Sequence, residues 1–230
     1  MLPILFVSLA VLVVIAVSVV LAHEARRNKE QKPFLDALRF AGAAAAWGAV
    51  WVAVASTGVL ARVDVRPPPF AGVLLGIGVA TGAVLRSAVG RRLTRAPVGV
   101  LIGLQAFRLP LELLMARAAE LGLMPVQMSL HGRNFDVVTG VLATIIGLFA
   151  LRFPVPRAVG WGFSVVGGLL LVNIVTIAVL SSPMIQAFGD DPSVVNTFVT
   201  RPPYVLLPTV LVTAALVLHL ALFARLLRLP

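Results

Sequence analysis

Two groups of polar residues in this chain are of types that bind or move charge. The first is Gln105, Arg108 and Glu112, spaced three and four apart inside an otherwise apolar run, so a helix there presents all three on one face. The second is Gly132-Arg133-Asn134-Phe135-Asp136, a polar turn just ahead of the next apolar run. A charge at the centre of a membrane-spanning helix costs roughly 2.5–3.5 kcal/mol by insertion scales, so Arg108 and Glu112 must be paired, used, or both. Glu112 is the titratable candidate, with Arg108 as its partner or as a contact for an anion. Pro110, between them, cannot donate to the carbonyl of Ala106, which predicts a kink and space for water, a ligand or another polar side chain. In the second group Asn134 or Asp136 can cap the following helix, and Asp136 suits the positive end of its dipole. Capping accounts for one of those two residues and leaves Arg133 over. The competing explanation is structural: Arg108 and Glu112 neutralise one another and hold helices together.

Single residues extend the candidate set. Asn173 falls within an apolar run at about the depth of Glu112, where an amide needs partners; a bond to the Arg108–Glu112 pair or a purely structural one would both serve. His219 lies nearer the opposite end, at roughly the level of Arg39, and reads as a hydrogen-bonded packing residue. Trp47 and Trp51, one turn apart, lie too deep for an aromatic belt and are expected to pack in the core or wall a cavity. No metal or cofactor site is expected: cysteine is absent, and His23, His131 and His219 have no geometry for bis-histidine haem.

The elements that position these residues follow from composition. Of 230 residues, 60% are hydrophobic and 12% charged, the make-up of a polytopic all-α membrane protein in a single domain. Seven apolar windows are long enough to be read as spans: Leu2–Ala22, Asp36–Leu60, Phe70–Val89, Pro97–Ala119, Asp136–Leu151, Val155–Leu180 and Pro203–Leu227. The first lacks a basic leader and is read as an uncleaved helix. Alternation puts Arg26, Arg27, Lys29, Lys32, Arg86, Arg91, Arg92, Arg95, Arg152, Arg157, Arg225 and Arg228 on one side. Arg62, Arg66, Arg117, Arg133 and Arg201 fall on the other, which predicts an outer amino terminus and a cytoplasmic carboxyl terminus. The two longer loops, Gly122–Phe135 and Ser181–Pro202, then both lie outside. Gly72/Gly76, Gly78/Gly82 and Gly42/Ala46 have the spacing of close helix contacts. No internal repeat supports an inverted-repeat transporter.

The formal charge of +10 is read as attraction to anionic lipid heads; no basic run interleaved with aromatics points to nucleic acid. Both lysines, Lys29 and Lys32, precede the second window, so no buried lysine is available for a retinal Schiff base. Zinc-protease, phosphate-loop, nucleophile-elbow and potassium-filter motifs are absent from the sequence.

The run Phe107-Arg108-x-Pro110-x-Glu112, then Met128, then Gly132-Arg133-Asn134-Phe135-Asp136-x-x-Thr139-Gly140, resembles a group of uncharacterised bacterial multi-pass membrane proteins. Asn173, Ser182-Pro183, Pro208 and His219 fit its later part, so the likeness covers roughly the carboxyl-terminal half. Many members carry Thr-Phe-Glu-Gly where this chain has Ser129-Leu130-His131-Gly132, which argues against a shared role for position 131. The resemblance implies a multi-pass protein of the inner (plasma) membrane and brings no activity with it.

The expectation is a small-ligand or ion transport or binding protein whose outward-facing polar site joins helices four to six, with Arg108 and Glu112 as floor and Arg133, Asn134 and Asp136 as rim. Its partners are membrane lipids and that ligand; the oligomeric state is open. Two alternatives stand beside it. One is an intramembrane enzyme for a lipid-like substrate, with Glu112 or Asp136 as acid/base and Arg133 on an anionic head. The other is a structural or assembly subunit.

Overall fold

The computed structural model describes residues 1–229 and is all-helical, with no strand among the described residues. The elements are α1 (Leu2–Arg27), α2 (Pro33–Ser56), α3 (Phe70–Arg86), α4 (Ala88–Leu93), α5 (Val98–Gly103), α6 (Arg108–Glu120), α7 (Val137–Phe149), α8 (Arg157–Leu180) and α9 (Thr213–Leu227), with short 3-10 turns between several of them. Five helical segments are long and apolar enough to cross a membrane: α1, α2, the run Val98–Glu120, α8 and the run Leu207–Leu227; α3 and α7 are apolar but shorter.

Local sequence explains the start and stop of these helices. Proline opens α1 and α2 in the first turn, where its missing N–H costs nothing, and Arg26 and Arg27 close α1 at the negative end of its dipole. One stripe of α1, through Phe6, Leu9, Val13, Val17 and Leu21, is buried against α2, α6 and α9's neighbourhood, while the remaining faces stay apolar and exposed, as lipid contact requires. The basic turn after α3 folds back as α4, capped by Ser87, whose Oγ accepts from the Val89 N–H.

The fourth window is not one continuous α-helix. A 3-10 turn at Leu104–Phe107 separates α5 from α6, directly ahead of Pro110, which has no N–H to give the Ala106 carbonyl; the Arg108 N–H reaches that carbonyl instead. The seventh window is also broken, since Leu207–Val212 forms a π-turn carrying Pro208. Side chains use the carbonyls this wider turn displaces: Trp47 Nε1 donates to Thr209 O at 2.9 Å, and Thr213 Oγ1 donates to Pro208 O at 3.3 Å. Trp47 and Trp51 meet edge to face at 5.5 Å, so both expected roles apply: they pack, and Trp47 also walls an apolar pocket bounded by α1, α3 and α9.

Close backbone contact occurs at glycines other than most of those the spacing singled out. Gly42, Gly72 and Gly78 face open space, and of that set only Gly76 fits against another helix, under the Trp47 and Trp51 rings. Two close approaches join α7 to the α5–α6 run. A methyl on Gly140 would lie 2.3 Å from the Leu109 nitrogen, and one on Gly147 would lie 2.8 Å from the Gly103 Cα. These glycines, absent from the fourfold-spacing pattern, set where α7 lies along its partner.

That register makes α7 a partial helix. Its first residues lie beside Arg108, midway along Val98–Glu120, and its last turn approaches Gly99. The rest of its path along α6 is filled by the loop Gly122–Phe135, which folds back there and buries Met128, Ser129 and Asn134. Irregular backbone at such depth is tolerated where protein covers it. Gln127 fastens this loop to the other long one, donating to Ser181 Oγ at 3.2 Å and to Val194 O at 2.7 Å, so both lie at one end of the bundle.

Candidate functional site

Gln105, Arg108 and Glu112 are all buried on the inner side of the α5–α6 run, as their spacing predicts. Their pairing differs from the expectation. Arg108 does not bond to Glu112; its Nε donates to Asp136 Oδ2 at 2.6 Å, and its Nη2 donates to Asp136 Oδ1. The fork engages both carboxylate oxygens, the strongest geometry available to this pair. Gly140 permits it: with no side chain there, the first turn of α7 can lie on the Leu109 backbone and bring Asp136 to Arg108. Helical spacing within one window shows only neighbours on that window, which is why Glu112 looked like the natural partner.

Asp136 stands at the N-cap of α7 but makes no side-chain cap bond, because its oxygens are on Arg108. Asn134 takes the local turn instead, its Oδ1 accepting from the Asp136 N–H at 3.0 Å. The amide nitrogen of Asn134 donates to Glu112 Oε2 at 2.5 Å and to Met128 O at 3.1 Å. One asparagine therefore ties the loop, the start of α7 and Glu112 together. Glu112 is 1% exposed and accepts only that bond, so its Oε1 has no hydrogen-bond donor.

His219 belongs to the same network, while Arg39 contacts Asp36 at 3.4 Å. His219 Nδ1 is 3.4 Å from Gln105 Oε1 and its Nε2 is 2.7 Å from Ser164 O; Gln105 Oε1 also receives Arg108 Nη1 at 3.4 Å. Gly167 and Gly168 of α8 leave room for the imidazole, since a methyl on either would meet it within 3.2 Å. Nearby, Gln105 Nε2, Thr139 Oγ1 and Ser164 Oγ are buried without partners.

Arg133 and Asn173 lie apart from the buried pair, and for Asn173 the structural alternative is the one observed. Arg133 is exposed and lies over the Phe188 ring at 5.2 Å, while Asn173 donates to the Arg133 carbonyl at 2.9 Å and does not reach Arg108 or Glu112. Both fix the loop Gly122–Phe135 against α8 and the loop beyond it.

Above the Arg108–Asp136 pair is a cavity of about 130 Å³. Its walls come from α3, α6, α8, the π-turn and the loop Ser181–Pro202, and Arg108, Glu112 and Asp136 are at its polar end. Elsewhere it is lined almost wholly by Leu, Ile, Val, Met and Phe, with Ser182 and Asn196 toward the loops. Asn196 Oδ1 is buried and unpartnered. Sequence reasoning did not single out Asn196, which sits in a loop with no periodicity to mark it as buried. Among the described residues no group of His, Asp and Glu is arranged to hold a metal ion. Searches of protein-family models, curated proteins and solved structures return no match for the chain.

Proposed function

We propose that this chain is a multi-pass protein of the bacterial inner membrane that binds, and by binding transports, a small ligand in the cavity above Arg108 and Asp136, with Glu112 as the recognition group. The observation that carries the proposal is the free Oε1 of Glu112 in a side chain that lines the cavity. A carboxylate needed only to bind helices together would have both oxygens engaged, as Asp136 does. Asp136, saturated by Arg108, serves as the fixed support and is not free to exchange a proton with a substrate.

Seven crossings, with the amino terminus outside, remain part of this proposal. Five segments have the length to cross alone, α3 is an apolar helix of 17 residues, and the loop packed along α6 completes the path of α7. The excess of arginine and lysine in the loops after α1, α3, α7 and α9 supports the orientation, which turns the cavity toward the outer face.

The test is chemical. In phosphatidylcholine proteoliposomes a lipophilic carbodiimide, which adds to carboxyl groups it reaches in apolar surroundings, is expected to modify Glu112 and to spare Asp136, as read by peptide mass spectrometry. An unmodified Glu112 would overturn the proposal.

A further inference from the structure

We infer that the ligand is an amphiphile that enters head first from the bilayer: a single N–H or O–H donor, which bonds to Oε1 of Glu112, on an apolar chain whose first carbons fill the cavity and whose remainder stays in lipid. The inference rests on the ligand-binding proposal above and adds the chemical class of the ligand.

The polar end of the cavity selects for a donor. Asp136 answers the charge of Arg108, so an anion placed there would find no unmatched cation. At this deep end the open polar atom is an acceptor, Glu112 Oε1, whereas Ser182 and Asn196 toward the loops offer donors as well as acceptors. A hydrated ion would surrender its water for walls of Phe70, Ile77, Leu111, Leu171 and Leu211, which offer no replacement ligands. An alkyl or isoprenoid body gains from those same walls by apolar burial, while its one donor is satisfied at Glu112.

The shape agrees. Lining residues on the α8 side run from Leu171 to Ser182, about 16 Å along the helix axis, so the cavity is elongated along the membrane normal. Access is sideways. α3 and α8 both line the cavity yet share no packed interface; α3 lies against the π-turn and α9, and α8 against α9. Leu74 of α3 borders this gap on one side and Met184 and Ile185 on the other, all three exposed on the surface that would face lipid. An apolar molecule in the bilayer reaches the cavity there without crossing water.

The experiment measures protection of Glu112 from carbodiimide, scored as the surviving unmodified peptide, in vesicles of phosphatidylcholine, whose head carries no competing N–H or O–H. Dodecanol is expected to slow modification about tenfold and dodecyl sulfate, an anion that does not itself consume carbodiimide, hardly at all. Leu74→Trp, which fills the gap, is expected to remove this protection, whereas Leu75→Trp, on the lipid-facing surface next to it, keeps it and controls for folding. Protection by dodecyl sulfate equal to that by dodecanol overturns the donor head. Protection by methanol equal to that by dodecanol overturns the amphiphile while leaving a ligand site at Glu112. Unchanged protection in Leu74→Trp overturns the sideways access, and a Glu112 that never reacts overturns both proposals.

Discussion

Arg92 and Arg108 are each held by carboxylates, and the two settings show how depth changes what such a cluster does. Arg92 of α4 donates to Glu30 through Nε at 2.8 Å and also through Nη2, and to Asp36 at 2.5 Å; both acids are about a third exposed, with side-chain exposures of 29% and 32%. Hydrogen bonding to Glu30, ahead of that to Asp36, raises the Arg92 pKa above the usual value for arginine, so the guanidinium stays charged throughout the working pH range. Water still reaches the carboxylates there, and the cluster is a strap joining the α1–α2 turn to α4. Around Arg108 water is excluded and the bonds are divided: Asp136 takes the arginine, Glu112 takes Asn134, and one oxygen is left over. In the exposed cluster a spare valence is filled by solvent; in the buried one it has to be filled by something brought in.

The sharpest way to break this comparison is to remove the buried acid. Asp136→Ala leaves Arg108 charged, buried and unpaired, and is expected to cost roughly 3–5 kcal/mol in reversible unfolding in detergent micelles. Arg108→Met combined with Asp136→Leu should recover most of that loss, because an apolar pair of similar volume carries no desolvation penalty. A single variant that unfolds like wild type would show that Arg108 has a second route to neutrality. The next largest effect is expected from Gly140→Ala, at roughly 1–3 kcal/mol by thermal melting. Its methyl would press on Leu109 backbone, which cannot rotate away, and so push Asp136 off Arg108.

Those two positions also show how far the sequence can be read. Apolar run length located the helical segments, and the spacing of Gln105, Arg108 and Glu112 located the buried face, because both depend on local pattern. Partner identity does not. The Arg108–Asp136 pair and the Asn134–Glu112 bond arise where α7 lies along α6, a register set by Gly103, Gly140 and Gly147 and by a loop without periodicity. Glycine spacing of four named Gly72 and Gly78, which face open space, since small residues permit close approach only where another helix arrives. His219 meets Gln105 across two helices, a pairing that no pattern within either window marks. Asn196 was invisible for the same reason as Asn134's partner: loop burial is a tertiary fact.

A smaller effect should come from the exposed strap. Arg92→Ala is expected to cost about 1 kcal/mol, because Glu30 and Asp36 regain water when the arginine goes. The loss should shrink further at 1 M salt, where the screening length falls to about 3 Å, while the cost of Asp136→Ala should not respond to salt. Equal salt dependence at the two sites would remove the distinction between strap and buried pair.

The smallest effect on stability is expected from Glu112→Gln, and it bears most directly on function. The glutamine Oε1 can still accept from Asn134, so the loop keeps its tie and unfolding in detergent should shift by less than about 1 kcal/mol. What changes is the atom facing the cavity: the unsatisfied acceptor becomes an NH₂ donor. A donor-headed ligand would then meet a donor. Wild-type protein should gain about 1.4 kcal/mol of stability at ligand concentrations near ten times Kd, and Glu112→Gln should gain none with either dodecanol or dodecylamine. A variant as unstable as Asp136→Ala would make Glu112 one more structural charge. A stable variant that has lost only its response to ligand would set Glu112 apart from every other buried carboxylate in the chain.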